Sequence, residues 1–386
     1  MGLDVDAVLA GPRGRRLCFE LARGTRRPDG VPEVDRLRQA AFWAAHALDP
    51  GRGTSRALLT LGTGPVPEPP TSTPADVARL VAALPLAPLG SDALLDALAD
   101  AVDSARYWQE PDGEDVLAGT PEVRAALRRV AARAVTHPAA RWWTTPVDRA
   151  SQWTVTPEGD AVPGSPADDV VPRPPEDVAV PGAPGGCAVR RLARWRAETV
   201  EGEARAARER PADQRASWSG EWWSTPPREL TRTTRALDAA GPVGLRLAED
   251  ADGADRAATQ RVDPPADAVV LELDSPEAWL DLCRRHPLDV TASRRHDWYR
   301  TTGTSTRWVL PDWSAVAREV DAVHLTVGGY LSTAGRALPL GDGRASTLAG
   351  WDPDCTYWLV DVPDRALPPA EAWERDGSGV WSRVRP

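Results

Sequence analysis

The stretch "ADAVVLELDSPEAWLDLCRRH", residues 266–286, carries the two patterns that decide the fold class of this chain. Its first half is a short apolar run, which predicts a buried strand. Ser275 and Pro276 then predict the start of a helix, because Ser caps the first turn and Pro is tolerated at the first helical position. Glu277 complements the helix dipole. A strand that passes directly into a capped helix predicts mixed α and β structure.

Four other short strands are predicted between residues 218 and 365. They are "GPVGLRLAED" (241–250), "TRWVLPDW" (306–313), "DAVHLTV" (321–327) and "CTYWLVD" (355–361). The first alternates Val243, Leu245 and Leu247 with smaller or charged residues, as a half-buried strand does. The strands alternate with short helices through brief, irregular connections, which favours an α+β domain with a mixed sheet over a regular doubly wound sheet.

The first 140 residues predict a helical domain. Four segments have apolar residues at helical spacing: 33–48, 73–84, 91–108 and 120–135. Two of them begin with Thr-Pro, at Thr73 and Thr120, which predicts a capped first turn. Residues 141–217 are predicted to hold a crossover segment, a Pro/Gly-rich linker from about Val155 to Gly186, and a charged helix. Residues 366–386 are predicted to be an irregular tail with Trp373 and Trp381 docking back.

A repeated run of tryptophans raises a question about the C-terminal part. "RWWTTPVDR" (141–149) and "EWWSTPPREL" (221–230) share two tryptophans, hydroxyls and a proline. In an extended segment adjacent side chains point to opposite faces, so one Trp can be buried while its neighbour is presented. We therefore expect both runs to be rim strands of the Trp-rich C-terminal fold; a short internal duplication is the alternative.

The composition excludes several kinds of chemistry. All 46 basic residues are arginine, and the chain has no lysine, asparagine or isoleucine, as expected from the genome of a GC-rich bacterium. Without lysine there is no pyridoxal-phosphate enzyme, no Walker A loop and no protein kinase. Any anion site in this chain must therefore be an arginine site.

Charge, cysteine and histidine content bound the partners and the location. A net charge of −10 argues against general nucleic-acid binding and against binding to anionic membranes. We find no signal peptide and no apolar run long enough to cross a membrane. The four scattered cysteines predict free thiols in the cytoplasm, and the five scattered histidines predict no metal site.

The segment 288–313, "LDVTASRRHDWYRTTGTSTRWVLPDW", is the richest in candidate ligand-binding residues. Arginines, a histidine and aromatic rings lie close together in it: Arg294, Arg295, His296, Trp298, Tyr299 and Arg300. Guanidinium forks, aromatic faces and hydroxyls at loop positions suit a nucleotide-like or phosphorylated small molecule. The alternative is a surface loop whose arginines pair with nearby carboxylates.

The segment "LAGWDPDCTYWLVD" (348–361), together with "WWSTPP" (222–227), "GLRLAED" (244–250) and "GYLSTAG" (329–335), resembles the ADP-ribosyltransferase superfamily. The resemblance implies that NAD is a substrate and that an oxocarbenium-like transition state is stabilised. It assigns roles to these residues: Arg246 or His296 to hold NAD, Tyr330 or Ser332 to line the nicotinamide pocket, Asp352 or Asp354 to act near the ribose, and Trp223 and Ser224 to contact the ligand. The late Glu of that superfamily is absent here.

Two alternatives belong to other classes of protein. In the first, the chain is a non-enzymatic interaction protein that docks a protein partner through a Trp-rich surface including Trp222 and Trp223. In the second, Asp321 and His324 form the D-x-x-H block of an SGNH-like hydrolase, where Asp orients His as a base. That family also needs a serine nucleophile in a G-D-S block, which this sequence lacks.

Overall fold

A computed structural model describes residues 3–24, 32–51, 70–85, 88–158, 186–250, 253–363, 368–377 and 379–385. Of the described residues, 46% are helical and 18% lie in strands. Helices predominate in the N-terminal part, and mixed sheets lie in the C-terminal part. The predicted α+β class is therefore confirmed. Most of the predicted Pro/Gly-rich linker lies outside the described residues.

Seven α-helices precede the first strand in the described part of the chain. They are α1 (Val5–Ala10), α2 (Pro12–Arg23), α3 (Pro32–Leu48), α4 (Pro74–Ala83), α5 (Ser91–Asp103), α6 (Gly113–Gly119) and α7 (Pro121–Val135). The predicted cap at Thr73 is confirmed: its hydroxyl accepts from the backbone N–H of Asp76, whose carboxylate reaches back to Thr73. At Thr120 the Thr-Pro start holds, but the Thr side chain makes no capping bond.

The described residues of the C-terminal part form five more helices and fourteen short strands. The helices are α8 (Cys187–Glu209), α9 (Pro276–Arg285), α10 (Thr291–Thr302), α11 (Trp313–Val316) and α12 (Val327–Thr333). The strands are β1 (Gln152–Glu158), β2 (Arg232–Thr233), β3 (Ala236–Leu237), β4 (Gly241–Pro242), β5 (Arg256–Val262), β6 (Val270–Leu273), β7 (Pro287–Asp289), β8 (Arg307–Pro311), β9 (Ala322–Leu325), β10 (Leu338–Gly341), β11 (Arg344–Ser346), β12 (Cys355–Trp358), β13 (Glu371–Arg375) and β14 (Trp381–Arg383).

The strands form three four-stranded sheets and one two-stranded pair. Their orders are β2-β12-β9-β6, β10-β11-β8-β7, β1-β5-β13-β14 and β3-β4. In the first sheet β6 and β9 are parallel, whereas β12 is antiparallel to β9, so the sheet is mixed as predicted. The strand and capped helix predicted for residues 266–286 are confirmed. Strand β6 leads into α9, and the Ser275 hydroxyl accepts from the N–H of Ala278 at 3.3 Å.

Three predicted secondary-structure elements are wrong. Of the predicted strand 241–250 only Gly241 and Pro242 are extended, and Val243–Leu245 form a 3₁₀ helix. Gly241 has a φ of +69° and Pro242 has no N–H to donate, so a regular ladder cannot continue. The segment 291–302, predicted as a loop, is α10. The tail predicted to be irregular forms β13 and β14.

The two tryptophan runs are not the rim strands that we expected. Trp142 and Trp143 lie in a 3₁₀ helix, Pro138–Thr144, whose first position is taken by Pro138. Trp222 and Trp223 lie in an irregular segment that ends at the donor-free pair Pro226 and Pro227. Trp143 is buried beside a half-buried Trp142, as expected, whereas both tryptophans of the second run are half-buried.

The C-terminal tail adds two strands, β13 and β14, to the sheet that contains β1 and β5. Trp373 and Trp381 are buried, which confirms the expected docking, and the indole N–H of Trp373 donates to the Thr259 hydroxyl at 3.1 Å. Strand β13 pairs with β5, which pairs in turn with β1. Val155 therefore lies within β1, inside a sheet and not in the linker that we expected to begin there.

One apolar cluster contains residues of both the N-terminal and the C-terminal parts, a second is confined to the N-terminal helices, and α12 lies where the two parts meet. All seven residues of α12 are buried. A Cβ on Gly11, between α1 and α2, would lie 2.0 Å from the backbone oxygen of Leu331 in α12. A Cβ on Gly329 would lie 2.0 Å from the oxygen of Leu273 at the end of β6. These two glycines let α12 touch backbone on both sides.

Replacement of either glycine should therefore destabilise the protein. For Gly11→Ala and Gly329→Ala we expect a loss of at least about 1–3 kcal/mol in the free energy of unfolding, because rigid backbone must move to admit the methyl group. Gly202→Ala in α8 is the matched control, since its Cβ would meet nothing within 4 Å. There Ala should add about 0.5–1 kcal/mol. Denaturant unfolding measures all three, and equal effects at the three positions would contradict the close approach.

Candidate functional site

A pocket of about 490 Å³ lies where the N-terminal helices meet the C-terminal part of the chain. Residues 10–15, 106–111, 115–119, 301–304 and 335–337 contribute its walls. We call this cavity the junction pocket. It is partly open to solvent, and its size is that of a site for a small molecule. Four arginines line it: Arg13, Arg15, Arg106 and Arg336.

Two of these arginines, Arg13 and Arg106, pair with carboxylates. Arg13 is buried, pairs with Asp115 and donates to the Ala101 oxygen at 2.9 Å and to the Ser104 hydroxyl at 2.7 Å. The Arg106 Nε lies 3.3 Å from a carboxylate oxygen of Asp250. Both side chains are therefore positioned, and much of their charge is neutralised.

Arg15 and Arg336 differ, because within the described part of the chain neither forms an ion pair. The Arg15 Nη1 donates to the Ala10 oxygen at 2.9 Å, and the Arg336 Nη1 donates to the Ser332 oxygen at 2.7 Å. Burial, followed by the charge of Arg124, lowers the pKa of Arg15 to about 10. Burial also lowers the pKa of Arg336. Within the described residues neither guanidinium pairs directly with a carboxylate, but Asp115 acts on Arg15 and Glu277 acts on Arg336 from a distance, so the two positive charges are only partly balanced.

The first turn of α2 adds to the positive potential. Pro12 and Arg13 line the pocket, and no side chain caps the helix at its N-cap residue Gly11. A helix N-terminus carries a partial positive charge and presents backbone donors to anions. Because α2 has twelve residues, the positive end of its dipole adds to the positive potential of the arginines at the pocket.

A buried carboxyl group lies directly behind the pocket wall. The hydroxyl of Tyr107, which lines the pocket, donates to the Glu249 Oε1 at 2.5 Å. Asp352 accepts from the Glu249 N–H at 2.8 Å, and the Tyr330 hydroxyl approaches the same carboxyl. Burial, followed by the charge of Asp352, raises the pKa of Glu249 to about 8. Glu249 is therefore protonated at neutral pH, and such perturbed acids are typical of functional sites.

A second buried polar cluster holds the sheet β2-β12-β9-β6 to the first tryptophan run. His324 Nδ1 lies 2.5 Å from Glu272 Oε2, and its Nε2 lies 3.4 Å from Asp354 Oδ1. Burial opposes the charge on this imidazole, but the hydrogen bonds to Asp354 and Glu272 outweigh it and raise the pKa of His324. The Arg235 Nε donates to Asp354 Oδ1 at 2.6 Å.

Arg235 explains why the first tryptophan run ends in Thr and Pro. Its Nη1 donates to the Thr145 hydroxyl at 2.7 Å and its Nη2 to the Pro146 oxygen at 3.0 Å. The guanidinium also lies 5.5 Å from the centroid of the Trp142 ring. The run therefore binds the charge network that Asp354 completes. The second run has other partners, since the Ser224 N–H donates to the Ala349 oxygen.

The predicted site residues do not gather in one cleft. Asp352 and Tyr330 meet at Glu249, whereas Asp354 lies in the Arg235–His324 cluster. The Arg246 Nη1 lies 3.5 Å from the Asp96 Oδ1. The Ser332 hydroxyl donates to the Gly328 oxygen within α12. Trp223 lies under Arg228, with 4.9 Å between the guanidinium carbon and the ring centroid. The roles that the resemblance assigned to these residues stay predictions.

The residues of α10 are largely occupied by neighbouring groups. Arg294 pairs with Glu221 at 2.8 Å, and Arg300 pairs with Asp297, so for these two arginines the paired alternative holds. Trp298 is fully buried, and its indole donates to the Trp222 oxygen at 2.6 Å. The remaining positions lie on the same helix: Arg295 and Tyr299 are half-buried, and His296 is buried with its pKa lowered by burial and by Arg295.

Sequence reasoning missed the residues that line the junction pocket. The signal for Arg13 and Arg15 is the segment "GPRGRR" (11–16), in which a Pro opens a helix and arginines follow at once. With two glycines and a proline, the segment does not match a dinucleotide-binding loop either. Arg336 and Glu249 have no local signal, because Arg15 is 321 residues from Arg336 in sequence and Tyr107 is 142 residues from Glu249.

Comparison of the chain with protein-family models, curated proteins and solved structures returns no match. Across the described ranges, no group of three or more His, Cys, Asp or Glu side chains is placed to hold a metal ion. Within the same ranges, no helix combines the length and the apolar character that crossing a bilayer requires.

Asp354 should stabilise the fold whatever else it does. Asp354→Asn leaves Arg235 buried without its carboxylate, so we expect a loss of about 3–5 kcal/mol in the free energy of unfolding. Asp342→Asn is the matched control, because both residues have a positive φ, 59° and 53°, while Asp342 is exposed. Chemical denaturation compares the two variants. A loss below 1 kcal/mol for Asp354→Asn would show that the buried cluster contributes little.

Glu249 should make stability depend on pH. Its folded pKa of about 8 lies above the value for an unfolded Glu, so the native state holds an extra proton between about pH 4.5 and 8. Within that window the free energy of unfolding should fall as pH rises, by up to about 1.4 kcal/mol per pH unit. Glu249→Gln should remove this component, and Glu110→Gln on the surface should leave it unchanged. Unfolding curves at pH 5 to 9 that are parallel for wild type and Glu249→Gln would refute the buried protonated acid.

Proposed function

We propose that this protein binds a small molecule bearing a phosphate group in the junction pocket, with Arg15 and Arg336 as the principal anion ligands. The observation that carries the proposal is the pair of half-buried arginines that face one cavity without a carboxylate partner among the described residues. Most of the other arginines named above are paired. Holding two cations in a half-buried site with only partial balance is costly, and a bound anion would offset that cost.

The chemistry of the pocket favours a phosphate over other anions. Guanidinium forks match phosphate oxygens bidentately, and the positive end of the α2 dipole lies at the same wall of the pocket. A dianionic group would balance Arg15 and Arg336 together. The size of the cavity favours a small molecule over a polymer. The net charge of −10 points the same way, because a nucleic acid would meet a largely acidic surface.

Two hypotheses from the sequence remain proposals beside this one. NAD, the substrate that the ADP-ribosyltransferase resemblance implies, carries a pyrophosphate and belongs among the ligands to be tested. Docking of a protein partner through Trp222 and Trp223 is compatible with their half-buried positions. The phosphate proposal takes precedence, because the unpaired arginines require a counter-charge and the tryptophans do not.

Arginine variants test the proposal directly. Isothermal titration with pyrophosphate, a sugar phosphate, a mononucleotide and NAD should detect saturable one-site binding of at least one of them to the full chain. Arg15→Gln and Arg336→Gln should each weaken that binding at least tenfold, since each removes a charge-assisted contact of about 1.5–3 kcal/mol. Arg318→Gln is the control, because Arg318 is exposed and lies outside the pocket.

The contrary results are equally clear. Wild-type protein that binds none of these anions at millimolar concentration overturns the proposal. So does binding that Arg15→Gln, Arg336→Gln and Arg318→Gln weaken to the same small extent. Thermal unfolding of each variant shows whether it is folded, so that a loss of binding is not confused with a loss of structure.

A further inference from the structure

Three tryptophans with partly exposed rings form a row close to the junction pocket. Trp108 and Trp222 have ring centroids 4.9 Å apart, and Trp222 and Trp223 lie 5.7 Å apart. We call these three residues the rim tryptophans. Trp279, Trp313 and Trp351 form a comparable cluster in the core, but they are fully buried. The rim tryptophans are all half-buried, so packing does not use their whole surface.

Hydrogen bonds to α10 fix the rim tryptophans relative to the pocket. The Arg300 Nε donates to the Trp108 oxygen at 2.9 Å, and the Trp298 indole donates to the Trp222 oxygen at 2.6 Å. The hydroxyl of Thr301, a pocket residue, donates to the Tyr107 oxygen at 2.7 Å. One helix therefore holds both the wall of the pocket and the backbone of the aromatic row.

Arg106 connects the two features. It lines the junction pocket, and its guanidinium carbon lies 5.7 Å from the centroid of the Trp108 ring. A guanidinium over an indole is a cation–π pair, and the Arg106 guanidinium plane, which Trp108 supports from behind, is a flat surface on which a planar ring can stack. Arg106 therefore connects the proposed anion-binding cavity to a surface on which a planar ring can stack.

We propose that the ligand of the junction pocket is a nucleotide, with its phosphate at Arg15 and Arg336 and its base stacked against the Arg106–Trp108 pair. This inference rests on the phosphate proposal above and narrows it. A sugar phosphate would use the arginines alone and leave the half-buried indoles unused. Stacking accepts any base, because each base has a π-face, so we expect purines to bind more tightly than pyrimidines only through their larger area.

Two ligands that differ only in the base test the inference. Isothermal titration should show that AMP binds wild-type protein about 5- to 100-fold more tightly than ribose 5-phosphate does, since stacking on an aromatic side chain contributes about 1–3 kcal/mol. Trp108→Ala should weaken AMP binding by a similar factor and leave ribose 5-phosphate binding unchanged. Trp218→Ala is the matched control: Trp218 is 40% exposed and lies beside Arg210, away from the pocket.

The outcomes distinguish failure of the nucleotide inference from failure of the phosphate proposal. Equal affinities for AMP and ribose 5-phosphate, both sensitive to Arg15→Gln, would overturn the nucleotide and leave the phosphate proposal standing. An AMP preference that Trp108→Ala does not reduce would overturn the stacking site. Failure of wild type to bind AMP and ribose 5-phosphate would overturn the nucleotide inference, and the phosphate proposal would fall with it only if pyrophosphate and NAD also fail to bind. Trp108→Phe, which keeps an aromatic face, should restore part of the AMP preference.

Discussion

The close backbone contact of α12 with its neighbours on two sides is the constraint on which the rest of this structure depends. Gly11 and Gly329 admit that contact, and any side chain there would meet a carbonyl oxygen. Because α12 is buried along its whole length, it packs against residues of both parts of the chain within one apolar cluster. The junction pocket is a consequence of this packing, since its walls come from both parts of the chain.

The same packing decides which arginines are neutralised. In a chain with 46 arginines and a net charge of −10, most buried guanidinium groups named here have a carboxylate beside them, as Arg13 and Arg235 do. Arg15 and Arg336 instead use carbonyl groups at the ends of α1 and α12, where cations are favoured but not fully balanced. The protonated Glu249 behind Tyr107 adds no negative charge at neutral pH, which leaves the pocket positive.

Elements with a local signal could be predicted from the sequence, and features that depend on distant contacts could not. The Thr73 cap and the passage from β6 to α9 need only neighbouring residues, and both were predicted. The tryptophan runs failed as strands because Trp142 lies in a turn that Pro138 begins and that Arg235, about ninety residues away, holds in place. The arginine chemistry was anticipated, since lysine is absent, but its position was not. Nothing local marks Arg336 as a neighbour of Arg15.

The most direct test of the central claim is a crystal structure of the protein soaked in tungstate, a phosphate mimic located by its anomalous scattering. The account predicts one dominant anomalous peak in the junction pocket, within hydrogen-bonding distance of guanidinium nitrogens of both Arg15 and Arg336. Peaks confined to exposed arginines such as Arg318, with the pocket holding none, would contradict it.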